Sequence, residues 1–243
     1  MKMAEHATRA PARNLPEAIA RTVRHEMGDL LQTIYATVAI LQKRLPAELE
    51  LERRVLADLR KRAEGCKQLI DAVHDFIQPL ELAPELTDLA DLAETLVATA
   101  RERFPSLLIE TRPQPVEPAL VDGRRMALVG EALLANACEA ARQRVGFTTG
   151  PGRSAGEIEW AVMDDGPGFP TESLDCLFLP FFTTRHGHAG LGLASAQRIV
   201  RLHGGKITAE NLAGGGLCVR IVLPANGPTR LQPSAARLGE GDA

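Results

Sequence analysis

The stretch VMDDGPGF spans residues 162 to 169. It places Asp164 at the end of a strand-like run, and two glycines, Gly166 and Gly168, follow on either side of a proline. Glycine lets the backbone approach a ligand closely, and an acidic residue at a pocket floor can orient a ligand by accepting a hydrogen bond from its amino group. The same letters also suit an ordinary turn between two strands, so the stretch alone leaves both interpretations open.

A second glycine cluster lies in AGLGLASAQRIV, where Gly190, Leu191 and Gly192 open a helix-like run. Backbone N–H groups at the start of a helix bind phosphate, which makes this cluster a candidate phosphate site. Glycine before a helix is also a common structural feature. The residues alone do not choose between the two.

The segment between the clusters, FLPFFTTRHGHA, contains two adjacent phenylalanines and a threonine pair whose second member, Thr184, precedes Arg185. A loop of this length, anchored by aromatic residues and mobile elsewhere, is typical of a lid. His186 and His188 have no carboxylate or cysteine nearby to complete a metal site, so we expect two exposed side chains. The sequence predicts no structural metal.

A third candidate, Asn136, lies in EALLANACEAARQ, inside a predicted helix of otherwise small and apolar residues for which Asp122 is a good N-cap. An asparagine in such a setting costs free energy unless it finds partners. Asn136 is therefore either a satisfied core residue or a ligand whose carbonyl oxygen holds Mg²⁺, a cation that takes oxygen ligands beside phosphates.

Upstream, residues 15 to 45 are nearly free of helix breakers and predict a long amphipathic helix, which Pro46 and Ala47 interrupt. A second run with heptad spacing follows, so we expect an antiparallel hairpin. One hairpin alone exposes its apolar seam to water, and two copies should pair into a four-helix bundle. The predicted seam consists of Met27, Leu30, Ile34, Val38, Leu41 and Leu45 on the first helix, and Val55, Leu59, Arg62, Cys66, Leu69, Val73 and Phe76 on the second.

The first helix carries RHEMGDLLQ, in which Glu26 directly follows His25. His25 lies two residues, about 200° of helix rotation, from Met27 in the seam. It should therefore point to solvent, with Asp29 and Gln32 on the same outward face. Because a histidine on a helix is usually a surface or packing residue, this stretch by itself assigns no role.

After Gln78 the pattern changes, and a second domain of mixed helices and strands is expected. A glycine-rich connection, FTTGPGRSAG, should separate a helix beginning near Asp122 from the strand EIEWAVMDD, and further strands are predicted in LLIETRP, KITAEN and GLCVRIVLP. The predicted fold class is α+β, a helical hairpin followed by a two-layer α/β sandwich. The predicted domains are a hairpin at 15–80 and a sandwich at 84–225, between disordered tails at 1–14 and 226–243.

Bulk properties exclude several classes of function. With 28 Lys and Arg against 31 Asp and Glu, the net charge of -3 gives no electrostatic case for nucleic acid or an anionic membrane. The sequence contains no run of about twenty apolar residues, the length that a bilayer crossing requires, and the N-terminus lacks the apolar core of a signal peptide. The four cysteines form no CxxC pair, so we expect reduced thiols in a cytoplasmic protein.

Five pieces occur in a fixed order: LLANACEA, VMDDGPGF, LFLPFFTTR, GLGLASAQRIVRLHGG and GGGLCVRIVLP. In this order they resemble the GHKL-type ATP-binding domain of two-component sensor histidine kinases. The likeness spans roughly residues 84 to 225, and RHEMGDLLQ on a preceding hairpin extends it to nearly all of the chain outside the tails. The resemblance implies a kinase that uses ATP and Mg²⁺ and assembles as a homodimer.

The resemblance also implies roles for individual residues. His25 matches the phosphoacceptor, and Glu26 matches the acidic neighbour that hydrogen-bonds its imidazole. Asn136 matches the Mg²⁺ ligand, and Asp164 matches the aspartate that contacts adenine, with Gly166 and Gly168 shaping that pocket. The remaining matches lie in the lid and the second glycine cluster: Phe178, Phe181 and Phe182 anchor the lid, Thr184 and Arg185 lie near the phosphates, and Gly190, Leu191 and Gly192 form the second glycine box.

Several positions depart from the family pattern. Asp29 stands where many members carry threonine or asparagine for a phosphatase reaction, and Leu30 stands where proline is common. Ala132 lies four residues before Asn136, where asparagine or an acidic residue is frequent, and Glu131 precedes it. His188 and Ala189 replace glycine and threonine in the lid.

The function implied is autophosphorylation of His25, followed by transfer of the phosphoryl group to an aspartate in the receiver domain of a separate response regulator. Input is expected from elsewhere, for example from a trans-acting sensor protein. Two alternatives stand beside this one: a histidine phosphotransfer scaffold with a vestigial nucleotide domain, and a GHKL-type ATPase or serine kinase that has no use for His25. Nucleic acid and membrane are not expected partners.

Overall fold

The computed structural model describes residues 15–46, 48–184 and 189–227. The chain divides into two compact units at Leu80 and Glu81, and the described residues 183–184 and 189–191 group with the first unit. The predicted disordered tails lie outside the described residues, apart from Asn226 and Gly227, which form a turn. The predicted fold class, a helical hairpin followed by an α/β sandwich, is confirmed.

The first unit contains two long helices that pack against each other, α1 (Leu15–Arg44) and α2 (Glu50–Ile77). Helix α1 has Pro16 only in its first turn, where proline is tolerated, and it continues past His25 and Gly28 without interruption. The side chains of Leu31, Val38 and Ala63 are buried between the helices. Leu31 is not part of the predicted seam, whereas several predicted seam residues are exposed in the single chain: Leu30, Leu41, Val55, Leu59 and Leu69.

The second unit is built on a five-stranded sheet with the order β2-β4-β5-β7-β6. Strands β2 and β4 are parallel, and the other neighbours are antiparallel. Three helices pack on the sheet and on one another through their apolar stripes. The elements of the sandwich are α3 (Leu89–Arg103), β2 (Leu108–Pro113), α4 (Gly123–Ala140), β4 (Arg144–Pro151), β5 (Glu157–Asp164), α5 (Gly192–Leu202), β6 (Lys206–Asn211) and β7 (Leu217–Pro224).

Two smaller features complete this unit. A two-stranded antiparallel ribbon joins β1 (Glu85–Thr87) to β3 (Ala119–Val121), and a 3₁₀ helix spans Thr171–Phe178. The predicted helix near Asp122 is confirmed as α4, because the Asp122 side chain caps it by accepting from the backbone N–H of Arg125.

The expectation of a glycine-rich connection after α4 is wrong for its first half, because residues 147–151 belong to strand β4 and only residues 152–156 connect β4 to β5. Gly146 and Gly150 lower the intrinsic preference of this segment for a strand. However, β4 pairs with β2 on one side and β5 on the other, and this tertiary context outweighs the local preference.

The sandwich core is organised around Trp160 on β5, which is 1% exposed. Its indole N–H donates to the carbonyl of Leu89 at 3.2 Å, and its ring meets Phe147 edge to face with centroids 5.1 Å apart. The indole contact ties the start of α3 to the middle of the sheet, so the helix layer and the sheet are fixed together behind the site.

His203 is a second, polar anchor and is fully buried. Its Nε2 accepts from the backbone N–H of Asp122 at 2.9 Å, so Nδ1 carries the proton and donates to the carbonyl of Ile199 at 2.9 Å. Burial lowers the pKa of His203 and keeps the ring neutral. These two hydrogen bonds of the His203 ring join the end of α5 to the start of α4, the helix that carries Asn136.

Candidate functional site

The candidate phosphoacceptor, His25, lies on α1 with 77% of its side chain exposed. Its Nδ1 is 3.3 Å from an Oδ of Asp29, one helical turn further along. When Nδ1 carries the proton and donates to this carboxylate, the lone pair is left on Nε2. The geometry therefore presents Nε2 as a nucleophile.

The carboxylate beside the imidazole is that of Asp29, whereas the resemblance assigned this contact to Glu26. Glu26 is exposed on α1, and a contact with His25 is not among those that the described part of the hairpin shows. Its role stays a prediction. The sequence analysis placed Asp29 on the same face as His25, because side chains four residues apart on a helix lie above one another, but it did not assign the contact between them.

In the second unit, Asp164 ends β5 and is 7% exposed. Its Oδ1 accepts from the backbone N–H of Gly166 at 2.8 Å and from that of Leu217 at 3.3 Å. These donors, one from the following turn and one from β7, hold the carboxylate in a single orientation. Such a fixed, buried acceptor is suited to selecting one ligand group.

The glycines after Asp164 are required by close backbone approach. A Cβ on Gly166 would overlap the carbonyl oxygen of Ala140, the last residue of α4, and would lie 2.8 Å from Asp164 Oδ1. Gly216, with φ +99°, faces the Asp164 backbone so closely that a Cβ would overlap its carbonyl oxygen. The turn after β5 is thus packed between α4 and the start of β7.

Asn211, at the end of β6, is a residue that the sequence analysis missed. Its Oδ1 accepts from the backbone N–H of Phe169 at 2.8 Å, and its Nδ2 donates to the Phe169 carbonyl at 2.7 Å. Gly168, with φ +77°, lies so close to Asn211 that a Cβ there would be 2.8 Å from Oδ1. Asn211 therefore clamps the turn that Gly166 and Gly168 shape. An asparagine closing a strand carried no signal of this pairing.

Asp165 fastens the same turn from the other side. Its Oδ1 accepts from the backbone N–H groups of Arg142 at 2.8 Å and Gln143 at 3.0 Å. The backbone hydrogen bonds from Gln143 and Arg144 lower the pKa of Asp165. The turn is consequently held by α4, by the residues that follow it and by β6.

Asn136 lies on α4, one turn before Ala140, and is half-buried with polar or electrostatic contacts of its own. Ala132 lies one turn earlier on α4, 3.8 Å from where a Cβ of Gly192 would be. The start of α5 therefore packs against α4. In this way Asn136, Asp164, Gly166, Gly168 and Gly192 share one helix pair and one turn of the second unit.

The lid segment is only partly described. Phe169 and Phe182 meet with ring centroids 6.0 Å apart, so Phe182 fastens the end of the lid to the turn after β5. Phe181 has φ +66°, a strained conformation for a large side chain. Thr184, Gly190 and Leu191 group with the first unit, while Arg185, His186 and His188 lie outside the described residues.

The residues present fit a nucleotide and Mg²⁺. Asp164 is a buried carboxylate acceptor held in one orientation, as an adenine amino group requires, and Asn136 has an amide oxygen of the kind that binds Mg²⁺ beside phosphate oxygens and waters. Among the described residues there is no group of three or more His, Cys, Asp or Glu that could hold a metal by itself. An ion that draws most of its ligands from phosphate and water does not need one.

Within the described part of the chain, none of the helices combines the length and apolar character that a membrane crossing requires. The four cysteines are free thiols, and burial raises the pKa of Cys138 to about 11, which makes it unreactive at neutral pH.

Residues 121–227 match the family of histidine kinase-, DNA gyrase B- and HSP90-like ATPases. The chain is 30% identical over 215 residues to the sensor histidine kinase ZraS of Klebsiella oxytoca, covering 86% of this chain and 46% of ZraS. Thus the chain spans about half the length of the curated relatives that it matches first.

Solved structures show the same architecture. Full-length ShkA in complex with AMPPNP superposes with a TM-score of 0.71 at 23% identity, covering 90% of this chain and 48% of ShkA. The mycobacterial sensor histidine kinase MprB has a TM-score of 0.55 at 25% identity, covering 60% of this chain and 99% of that chain. The order of motifs in the sequence and these likenesses point to the same class of protein.

Proposed function

The chain is a relative of the two-component sensor histidine kinases, and we propose that it is an ATP-dependent protein kinase that phosphorylates its own His25. The phosphoryl group then passes to an aspartate in the receiver domain of a separate response regulator. The observation that carries this proposal is an exposed imidazole, oriented through Nδ1 by Asp29, in the same chain as an ATPase domain.

The proposal assigns the nucleotide to the second unit. Asp164, oriented by its two backbone donors, accepts a hydrogen bond from the adenine amino group. Gly166 and Gly168 let the turn after Asp164 pack against α4 and Asn211 in the shape that presents Asp164 to the base. Gly192 begins α5, whose first backbone N–H groups face the phosphates. Arg185, outside the described residues, stays the candidate cation of the lid.

The phosphoryl step needs a nucleophile and neutralisation of charge. Nε2 of His25 attacks the γ-phosphorus in line and ADP leaves, while Asp29 holds the Nδ1 proton and stabilises the positive charge that develops on the ring. Asn136 would hold Mg²⁺, which supplies positive charge against the phosphate oxygens. Asp29 thereby takes the orienting role that the resemblance gave to Glu26.

A homodimer is part of the proposal. Leucines and valines on α1 and α2 stay exposed in the single chain, among them Leu51 at 70% and Val55 at 58%. Apolar surface on a two-helix hairpin is suited to burial against a second hairpin. The homodimer is the first partner, the receiver domain is the second, and a trans-acting sensor protein would supply the input.

Calorimetry and nucleotide turnover test this function together. Wild type and His25→Gln should both bind ATP in the presence of Mg²⁺, because His25 lies outside the nucleotide site. Only wild type should convert ATP to ADP and retain one phosphoryl group per chain. Turnover by His25→Gln at the wild-type rate would refute the kinase in favour of an ATPase. Absence of binding in both proteins would refute any use of ATP.

A further inference from the structure

An open depression on the hairpin, with a volume of about 730 Å³, adjoins His25. We call it the His25 depression. Residues of both helices line it, and all of them have polar side chains except one glycine: Arg21, Arg24, His25, Gly28, Asp29, Gln32, Lys67, His74 and Gln78. This surface groups hydrogen-bond donors around His25.

Three of these side chains are cations, and Asp29 is the one carboxylate among the lining residues. Asp71 on α2 holds two of the cations in place. Arg24 Nε lies 3.1 Å from its Oδ1, and Lys67 Nζ lies 3.0 Å from its Oδ2. The hydrogen bond from Lys67, with the charges of Lys67 and Arg24, lowers the pKa of Asp71. Arg24 and Lys67 are therefore held in position by the ionised Asp71 carboxylate.

His74 adds a donor or acceptor of a different kind. Its Nε2 lies 3.2 Å from the side-chain nitrogen of Gln78, and its Nδ1 is buried without a hydrogen-bond partner among the described residues. A buried polar atom left unpaired costs free energy.

From this arrangement we propose that the His25 depression is an oxyanion site that binds a phosphate or phosphoryl dianion directly beside His25 Nε2. Arg21, Arg24 and Lys67 supply positive charge, and Gln32 and Gln78 supply neutral donors. The site shares His25 with the proposed kinase function but needs neither ATP nor the second unit. It would hold the phosphoryl group of phosphorylated His25 and would accept a small phosphodonor.

Phosphoramidate is a suitable probe, because its N-protonated form joins a phosphoryl dianion to an ammonium nitrogen that leaves as ammonia. The Nε2 lone pair attacks phosphorus, the P–N bond of the donor breaks with its electron pair, and ammonia departs. A new P–N bond forms on the imidazole. The Nδ1 proton stays hydrogen-bonded to Asp29 or passes to water, so nothing is oxidised or reduced.

The experiment follows phosphorylation of His25 in the full chain as phosphoramidate is increased, without nucleotide. We expect a rate that saturates, and competition by inorganic phosphate. Lys67→Gln should raise the half-saturating concentration about fivefold, the factor expected from loss of one exposed charge contact. Lys61→Gln, an exposed lysine on the same helix that does not line the depression, is the matched control and should behave as wild type.

A rate that rises linearly and is unaffected by phosphate would overturn the proposal, as would equal behaviour of Lys67→Gln and Lys61→Gln. Lys67 is 60% exposed, so its replacement should leave the hairpin folded, and circular dichroism checks this. His74→Gln is a second variant, expected to weaken phosphate competition as well. A chain that saturates with phosphoramidate but takes no label from ATP would refute the kinase function and keep the oxyanion site.

Discussion

Replacing Asn211 with alanine should weaken nucleotide binding while leaving the rest of the second unit folded. Asn211 makes two hydrogen bonds to the backbone of Phe169, at 2.7 and 2.8 Å. Each is an amide contact near solvent, worth about 0.5–1 kcal/mol net. Loss of both hydrogen bonds removes about 1–2 kcal/mol of stabilisation from the conformation of the turn after β5 that binds nucleotide. Binding must then supply this free energy, so the ATP dissociation constant should rise about 5- to 30-fold.

The assay is calorimetric titration of the full chain with ATP and Mg²⁺. Asn226→Ala, at an exposed turn beyond β7, is the matched control and should bind as wild type does. Thermal denaturation of both variants separates a local effect from unfolding. An unchanged dissociation constant for Asn211→Ala, with an unchanged melting temperature, would refute the reasoning, because the turn would then hold its shape without the clamp.

Three further predictions concern the second unit. Thr149→Val should raise the free energy of unfolding by about 1 kcal/mol, since the buried Thr149 hydroxyl has no hydrogen-bond partner within the described ranges. The melting temperature should then rise by about 2–4 °C. Thr148→Val is the control and should not stabilise the protein, because the Thr148 hydroxyl donates to a carbonyl. Burial lowers the pKa of His203 below 6.5, so as the pH falls the unfolded chain is protonated at this residue before the folded chain is. The free energy of unfolding, measured in urea, should therefore be constant above pH 7 and fall as the pH drops through 6.5. His203→Gln should make this pH dependence flatter. Gly166→Ala should abolish ATP binding in calorimetry, because its Cβ would overlap the Ala140 carbonyl; binding at the wild-type affinity would contradict the packing described.

Elements whose periodicity arises locally were predictable from the sequence. The long helix α1 has an apolar stripe, α4 has the N-cap Asp122, and β5 ends in the motif around Asp164. In each case the residues within the element were enough to predict it, because burial of one face places apolar residues at a regular spacing. Strand β4 was missed because its pairing with β2 and β5 is non-local and outweighs its glycines.

The parts of the site that were missed depend on contacts between elements distant in sequence. Asn211 reaches Phe169 across 42 positions, and Asp71 meets Arg24 from the opposite helix. No local pattern reports such pairs. Asp29 is different, since the spacing of four placed it on the same helix face as His25 and only its contact with the imidazole was not assigned. The family pattern drew attention to Glu26 instead.

We propose that this chain transfers the γ-phosphoryl group of ATP to His25. The most direct test of this proposal incubates the purified protein with γ-labelled ATP and Mg²⁺, compares wild type with His25→Ala, and exposes the product to acid and to alkali. We expect the wild-type protein to carry label that is lost in acid and survives alkali, and we expect no label on the variant. Label that resists acid, or that persists in His25→Ala, would contradict it.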